Sequence, residues 1–226
     1  MKLLYRLLEL LFPPKCILCR DLLKQDETDL CRHCRTEVLQ YPHELTGPEA
    51  ASERHLHFLD SFTGIWYYDG SVRRSILRFK FYHAQHLAGA FGRLLAMRVL
   101  QDMPQDLDII TWAPVSLRRK LRRGYDQAEL IARAVSAETG IPCQRLLRKR
   151  RHTKPQSGMN AAARRGNVTD VYAPVKQADI SGRKELLVDD ILTTGATADE
   201  CALILKQAGA VWVGCAVIAV TPKKIQ

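Results

Sequence analysis

With 226 residues, 46% of them hydrophobic, the chain can build one medium domain plus a small appendage and is too apolar for disorder throughout. No run reaches the roughly 18–20 consecutive apolar residues of a membrane-spanning helix. The net charge of +10 is concentrated: from Arg118 to Arg165 fourteen Lys or Arg stand against three acids, so the rest is near neutral. Such a local surplus fits binding of pyrophosphate, nucleic acid or both.

In chain order, residues 1–11 place Leu4, Leu7, Leu8 and Leu11 on one helical face, with Lys2, Arg6 and Glu9 elsewhere and Pro13-Pro14 as a stop. The expectation is an amphipathic helix packed on the protein's own body, with a membrane-surface or partner-docking helix as the alternative. Cys16-x-x-Cys19 and Cys31-x-x-Cys34 follow, eleven residues apart. Two such pairs close four thiolates around one tetrahedral Zn²⁺, a saturated structural site whose binding energy also folds the short segment between them. Two disulfides are the competing arrangement. An odd total of seven cysteines, three of them scattered singly (Cys143, Cys201, Cys215), and the lack of a visible cleavable signal peptide favour zinc and a cytoplasmic protein. His33 reads as a bystander. The expected organisation is a module over residues 1–42, a polar linker over 43–60 containing Gly47-Pro48, and a main domain over 61–226.

Residues 61–68 alternate and are aromatic, as in a strand, and Gly70 breaks them. Residues 71–80 and 85–100 have helical periodicity; 108–113 reads as a strand ending at Pro114-Val115, and 128–139 as a helix. Residues 148–166 are basic and weakly periodic, a loop with a short helical piece. Strands near 168–172 and 186–188, a helix over 197–207 and a strand over 211–220 complete the chain. The alternation predicts an α/β fold: a mostly parallel sheet with right-handed crossovers, flanked by helices.

The segment 186–197, Leu-Leu-Val-Asp-Asp-Ile-Leu-Thr-Thr-Gly-Ala-Thr, is the most informative. Asp189 and Asp190 sit at the carboxyl end of a buried strand, where open α/β sheets bind ligands. Thr193, Thr194, Gly195, Ala196 and Thr197 open a helix, offering hydroxyls, backbone N–H groups and a helix N-terminus to a phosphate. Carboxylates accept hydrogen bonds from vicinal hydroxyls. The combination asks for a diol and a phosphate a few ångströms apart, as in ribose 5-phosphate. An Asp pair and a capped helix explain either half separately, but not both in this order. Without Gly-Lys-Thr it is not a Walker A loop.

This stretch resembles the phosphoribosyl-pyrophosphate signature of type I phosphoribosyltransferases. Arg123-Gly124-Tyr125-Asp126-Gln127-Ala128, the segment 156–168 with Gln156, Arg164 and Asn167, and Ile76-Leu77-Arg78-Phe79-Lys80-Phe81 after Tyr68-Asp69-Gly70 resemble elements of the ComF competence-protein family. That family joins an N-terminal four-cysteine zinc module to a phosphoribosyltransferase domain. Asp126 stands where the family usually has Asn. The resemblance implies a 5-phosphate cradle at residues 193–197, and ribose hydroxyls on Asp189 and Asp190, one through Mg²⁺-bound water. It implies a pyrophosphate loop at Pro114, Val115, Ser116 and Arg118. The basic segment around 148–154 would be a flexible hood. Arg122, Arg123, Arg148, Arg150, Arg151 and Lys154 are the basic-patch candidates.

Three functions remain open. One is a phosphoribosyltransferase with an unnamed acceptor. Another is a module that binds phosphoribosyl pyrophosphate or a nucleotide and handles single-stranded DNA with a helicase partner during DNA uptake. The last is a scaffold with a vestigial site. Direct DNA binding is weakened because only one aromatic residue, Tyr125, lies near the basic clusters in sequence.

Overall fold

The computed structural model describes residues 13–38, 40–150 and 171–222. The amphipathic stretch 1–11, Arg151, Lys154 and the segment 156–168 lie outside the described residues. In chain order the elements are α1 (Arg32–Glu37), a 3-10 turn (His43–Leu45), α2 (Gly47–Glu53), β1 (Ser61–Tyr67), α3 (Gly70–Phe81), α4 (Leu87–Asp102) and β2 (Ile109–Trp112). Then come α5 (Leu117–Arg123), α6 (Gln127–Thr139), β3 (Leu147–Lys149), β4 (Tyr172–Pro174), β5 (Lys184–Leu192), α7 (Ala196–Gln207) and β6 (Trp212–Val220).

Four strands form a parallel sheet in the order β1-β6-β5-β2, with β5 and β6 at its centre. Their side chains alternate between two apolar layers. Ile110, Trp112, Leu186, Val188, Ala216 and Ile218 join α3, α4, α6 and the cysteine module in one layer. Ile109, Leu187, Val213, Cys215 and Val217 join α2, α7 and the β3–β4 ribbon in the other. A parallel sheet covered on both faces needs near-continuous apolar strands, which is what β5 and β6 supply. In the first layer α4 and α6 approach so closely that a Cβ on Gly92 would lie 2.2 Å from the Cβ of Ala134.

The cysteine module is fastened to α3 and α4. Arg78 donates to the carbonyls of Ile17 (2.6 Å) and Leu18 (3.2 Å), and Arg93 pairs with Asp29 at 2.9 and 2.6 Å. Residues 43–60 carry the 3-10 turn and α2, and Ala51, Leu56 and Leu59 are buried in the second layer. The expected α/β fold is thus present, with a parallel sheet, flanking helices and an appended four-cysteine module.

Three local features differ from the sequence expectation. Residues 117–123 form a helix, although none of its residues is buried and Leu-Arg-Arg-Lys-Leu-Arg-Arg has no core-facing stripe to announce it. Residues 147–149, of which 148 and 149 fall in the expected basic loop, pair antiparallel with β4. Finally, β5 continues through Asp189 and Asp190 to Leu192, so the acidic pair lies within the strand's end rather than past it. Among the described residues no helix is long and apolar enough to cross a membrane.

Candidate functional site

Successive residues of a strand point to opposite faces, so Asp189 and Asp190 diverge at the end of β5. Asp190 meets Lys80 of α3, Nζ to Oδ1 2.9 Å, in a pair that is 18% and 13% exposed. Asp189 accepts the backbone N–H of Asp190 at 2.7 Å. Burial pushes the Asp189 carboxyl well above the usual carboxylate range, and the neighbouring Asp190 charge adds to it.

The turn after β5 runs into α7. Gly195 has φ +83°, a left-handed conformation costly for a residue with a Cβ, and serves as the N-cap. Close approach also demands glycine: a Cβ there would lie 2.3 Å from Leu56 Cδ2. Gly195 is buried beneath Leu56, while Thr193, Thr194, Ala196 and Thr197 are exposed around it. The Asp199 carboxylate in the first turn of α7 accepts the N–H groups of Phe58 (2.7 Å) and Leu59 (3.3 Å). Residues 56–59 therefore hold the loop and the helix N-terminus from outside.

Across the sheet, Pro114, Val115 and Ser116 leave β2 and lead into α5. Ala113 N–H donates to Val188 C=O at 3.1 Å, anchoring the start of this loop to β5. Asp126 caps α6 and also accepts the Val115 N–H at 3.1 Å. Burial raises the Asp126 carboxyl, opposed by the N–H groups of Val115 and Glu129. The change from Asn at this position thus keeps the hydrogen bond that shapes the loop.

The basic-patch candidates separate. Arg118 and Arg122 on α5 are exposed. Arg123 folds inward, its guanidinium 5.0 Å from the Phe81 ring centroid and its Nη1 2.8 Å from Gln127 Oε1. Arg148 and Arg150 lie on and beside β3, both exposed, with Arg148 Nε 3.4 Å from Pro174 O. Between them Lys149 turns inward, 3.1 Å from Tyr172 Oη and 4.9 Å from its ring. Burial lowers the Lys149 pKa and the Arg119 charge adds to this, while Glu200 and Asp189 lie within electrostatic reach. The aromatic neighbour of the basic cluster is not Tyr125, which is buried with its hydroxyl bonded to Phe79 O, but half-exposed Phe81. Leu56 and Asp199 carry no local mark in the sequence, and Lys80, Phe81 and Lys149, visible there only as members of longer motifs, receive their partners from folding alone.

In the module, the Sγ atoms of Cys16, Cys19, Cys31 and Cys34 all lie within 4.8 Å of one another, with Cys19 and Cys31 3.6 Å apart. A tetrahedral Zn²⁺ with 2.3 Å bonds requires sulfur–sulfur edges of about 3.8 Å, so the donor set fits a structural zinc. Gathering all four sulfurs around one point suits a shared metal better than two separate disulfides, and His33 is exposed outside the cluster. Backbone hydrogen bonds from Cys31, Cys19 and Leu18 outweigh burial at Cys16 and bring its thiol to about 7.

Comparison with known proteins agrees with both halves. Residues 7–45 match the double zinc ribbon domain and residues 121–225 the phosphoribosyl transferase domain. Competence protein F of Haemophilus influenzae is 27% identical over 214 residues, 86% of this chain and 92% of that protein. DNA utilization protein YhgH of Escherichia coli O157:H7 is 32% identical over 151 residues, covering 62% of this chain and 65% of that protein. A solved glutamine phosphoribosylpyrophosphate amidotransferase from B. subtilis is 24% identical with a TM-score of 0.43, and the match spans 59% of this chain and 26% of that one. The chain is thus a homologue of competence protein F, ComFC and YhgH, with a double zinc ribbon match ahead of a phosphoribosyl transferase match.

Proposed function

We propose that the protein binds phosphoribosyl pyrophosphate with Mg²⁺ and transfers its ribosyl phosphate to an acceptor. The observation that carries this is one strand-turn-helix holding, in order, two carboxylates, a hydroxyl-rich turn with left-handed Gly195, and the N-terminus of α7, whose N-cap has no side chain. Thr193, Thr194, Gly195, Ala196 and Thr197 receive the 5-phosphate, and Asp189 and Asp190 the ribose hydroxyls. Pro114, Val115 and Ser116 offer backbone groups to the pyrophosphate, with Arg118 as its cation. At the end of β5 either carboxylate can accept a hydrogen bond from a water of a hydrated divalent cation. Mg²⁺ when bound neutralises the departing pyrophosphate. The residues contribute position and charge, which is most of what such a transfer needs. The names of the relatives support a role in DNA uptake or use, and the seven free thiols a cytoplasmic setting.

Calorimetric titration of Mg²⁺ and phosphoribosyl pyrophosphate into the full chain tests the assignment. Binding by the native protein and none by Asp189→Asn/Asp190→Asn is expected. Equal binding by the variant would show that the diol lies elsewhere.

A second reading, a non-catalytic module that holds the same ligand and passes single-stranded DNA to a helicase, is favoured by one observation. The exposed cationic face of α5, with Arg118, Arg119 and Arg122, stands next to half-exposed Phe81. Phosphate contacts and a stacking ring are the two ingredients of single-strand binding. Its mark is DNA affinity that falls steeply with salt and is weakened by Arg118→Ala/Arg122→Ala; a flat salt response excludes it.

A further inference from the structure

A cavity of about 1160 Å³ opens between the cysteine module and the helix pair α3–α4. Ile17 and Leu23 of the module, Leu77 of α3, and Leu87 and Ala90 of α4 give it an apolar wall. Its volume exceeds the roughly 300–1,000 Å³ of a small-ligand pocket. It is on the scale of one short helix, since about eleven helical residues, roughly 16 Å long and 10 Å across, fill about 1,200 Å³.

The chain itself enters at this cavity. Pro13 and Pro14 line it, and the course of the chain there is fixed. Pro14 C=O accepts the Leu23 N–H at 2.9 Å, and Lys15 bridges antiparallel to Leu22. Covalent geometry keeps Leu11 within about 7 Å of Pro13 in any conformation. The sequence just ahead of Pro13 carries a matching surface. Leu4, Leu7, Leu8 and Leu11 share one helical face, and Lys2, Arg6 and Glu9 lie opposite.

Charge and tethering narrow the occupant. The rim presents Arg20 and Arg74, and the carboxylates lining it among the described residues are already engaged. Asp29 holds Arg93 at 2.9 and 2.6 Å, and Glu27 accepts the N–H groups of Lys24 (2.8 Å) and Arg32 (2.7 Å). A strongly basic helix would meet cations here. The polar face of residues 1–11, with two cations and one acid, also lacks the cation excess that holds an amphipathic helix on anionic lipid. A segment attached at the cavity's edge is present there at an effective concentration of about millimolar or above, which favours it over a free partner helix.

We propose that residues 1–11 dock in this cavity as an amphipathic helix, their leucine face covering the apolar wall, and strap the zinc module to α3 and α4. The strap adds an apolar seam to the polar fastenings that Arg78 and Arg93 make to the module. Because α3 also presents Lys80 to Asp190, the seam ties the module to the helix that flanks the proposed ribose site. The docking is independent of which ligand Asp190 binds.

The test is photocross-linking in the full-length, zinc-loaded protein with p-benzoylphenylalanine in place of Leu8, read by mass spectrometry. Cross-links within one chain to residues 15–23, 74–78 or 84–93 are expected. Cross-links only to other parts of the chain, only between two chains, or to no protein residue overturn the proposal. A second measurement compares two variants. Leu4→Asp/Leu8→Asp should raise the fluorescence of a hydrophobic dye several-fold and speed hydrogen exchange across residues 14–23 and 87–94 about ten-fold, whereas Lys2→Ala/Arg6→Ala should change neither. Identical behaviour of the two variants counts against docking, and the cross-link decides the matter if the acidic variant fails to fold. Flotation with vesicles of phosphatidylcholine and phosphatidylglycerol tests the rival occupant. Vesicle binding by the native chain that Leu4→Asp/Leu8→Asp abolishes would put the leucines in lipid and sink the proposal; no binding by the native chain supports it.

Discussion

Leu56 lies on the face of Gly195 where a side chain would begin: a Cβ on the glycine would stand 2.3 Å from Leu56 Cδ2. The contact joins a residue ahead of the first strand to the turn at the end of β5, and the Asp199 bonds to Phe58 and Leu59 reinforce it. The shape of the proposed phosphate cradle therefore depends on a segment nearly 140 residues away in the chain.

Gly195→Ala should destabilise the protein by about 1–3 kcal/mol through its left-handed backbone alone, with the Leu56 clash added. Leu56→Ala, which empties a buried position, should cost about 2–5 kcal/mol. In urea denaturation the double variant should lose less than the sum, because truncating Leu56 removes the clash. Strict additivity would mean that the two residues do not press on each other.

Glu185 is buried at the start of β5 with both carboxylate oxygens unpartnered, and burial pushes it to about 8. Its folded pKa lies above the unfolded value, so the native state binds the extra proton. Stability from this group is full below the ordinary carboxylate range and falls as pH rises through about 8, by no more than about 1.4 kcal/mol per unit. Glu185→Gln should flatten the stability profile between pH 5 and pH 9, measured by denaturation across that range (roughly the window between the two pKa values). An unchanged slope would place the titration elsewhere.

Asp126 is also buried and caps α6 while accepting the Val115 N–H. Asp126→Asn keeps an acceptor of the same shape and should be nearly neutral. Asp126→Ala should cost about 1–3 kcal/mol and loosen the 114–116 loop. Thermal melts give the first comparison, and pyrophosphate titration of the two variants the second.

The four-thiol cluster should bind one equivalent of zinc by atomic absorption, and Cys16→Ser or Cys34→Ser should lose it. Chelation should raise hydrogen exchange over residues 14–38 and leave β5 and β6 protected, since the apolar layer on the other face of the sheet does not include the module. Full protection of the module without metal would refute a structural zinc.

The chain's order of strands and helices, the four-cysteine spacing and the acid pair followed by the hydroxyl-rich turn were readable because each is local. Periodicity shows which face is apolar, two residues between cysteines set a knuckle, and consecutive residues fix a strand-turn-helix. Tertiary structure alone decided the company these motifs keep. Lys80 reaches Asp190, Leu56 covers Gly195, Lys149 turns in on Tyr172 and Phe81 replaces Tyr125 beside the arginines. Each pairing spans tens of residues and depends on sheet order, which no short window contains. Helix α5 was hidden for a different reason: with no buried face, its sequence carries no apolar period, and its shape follows from the Ser116 cap and left-handed Gly124 at its two ends.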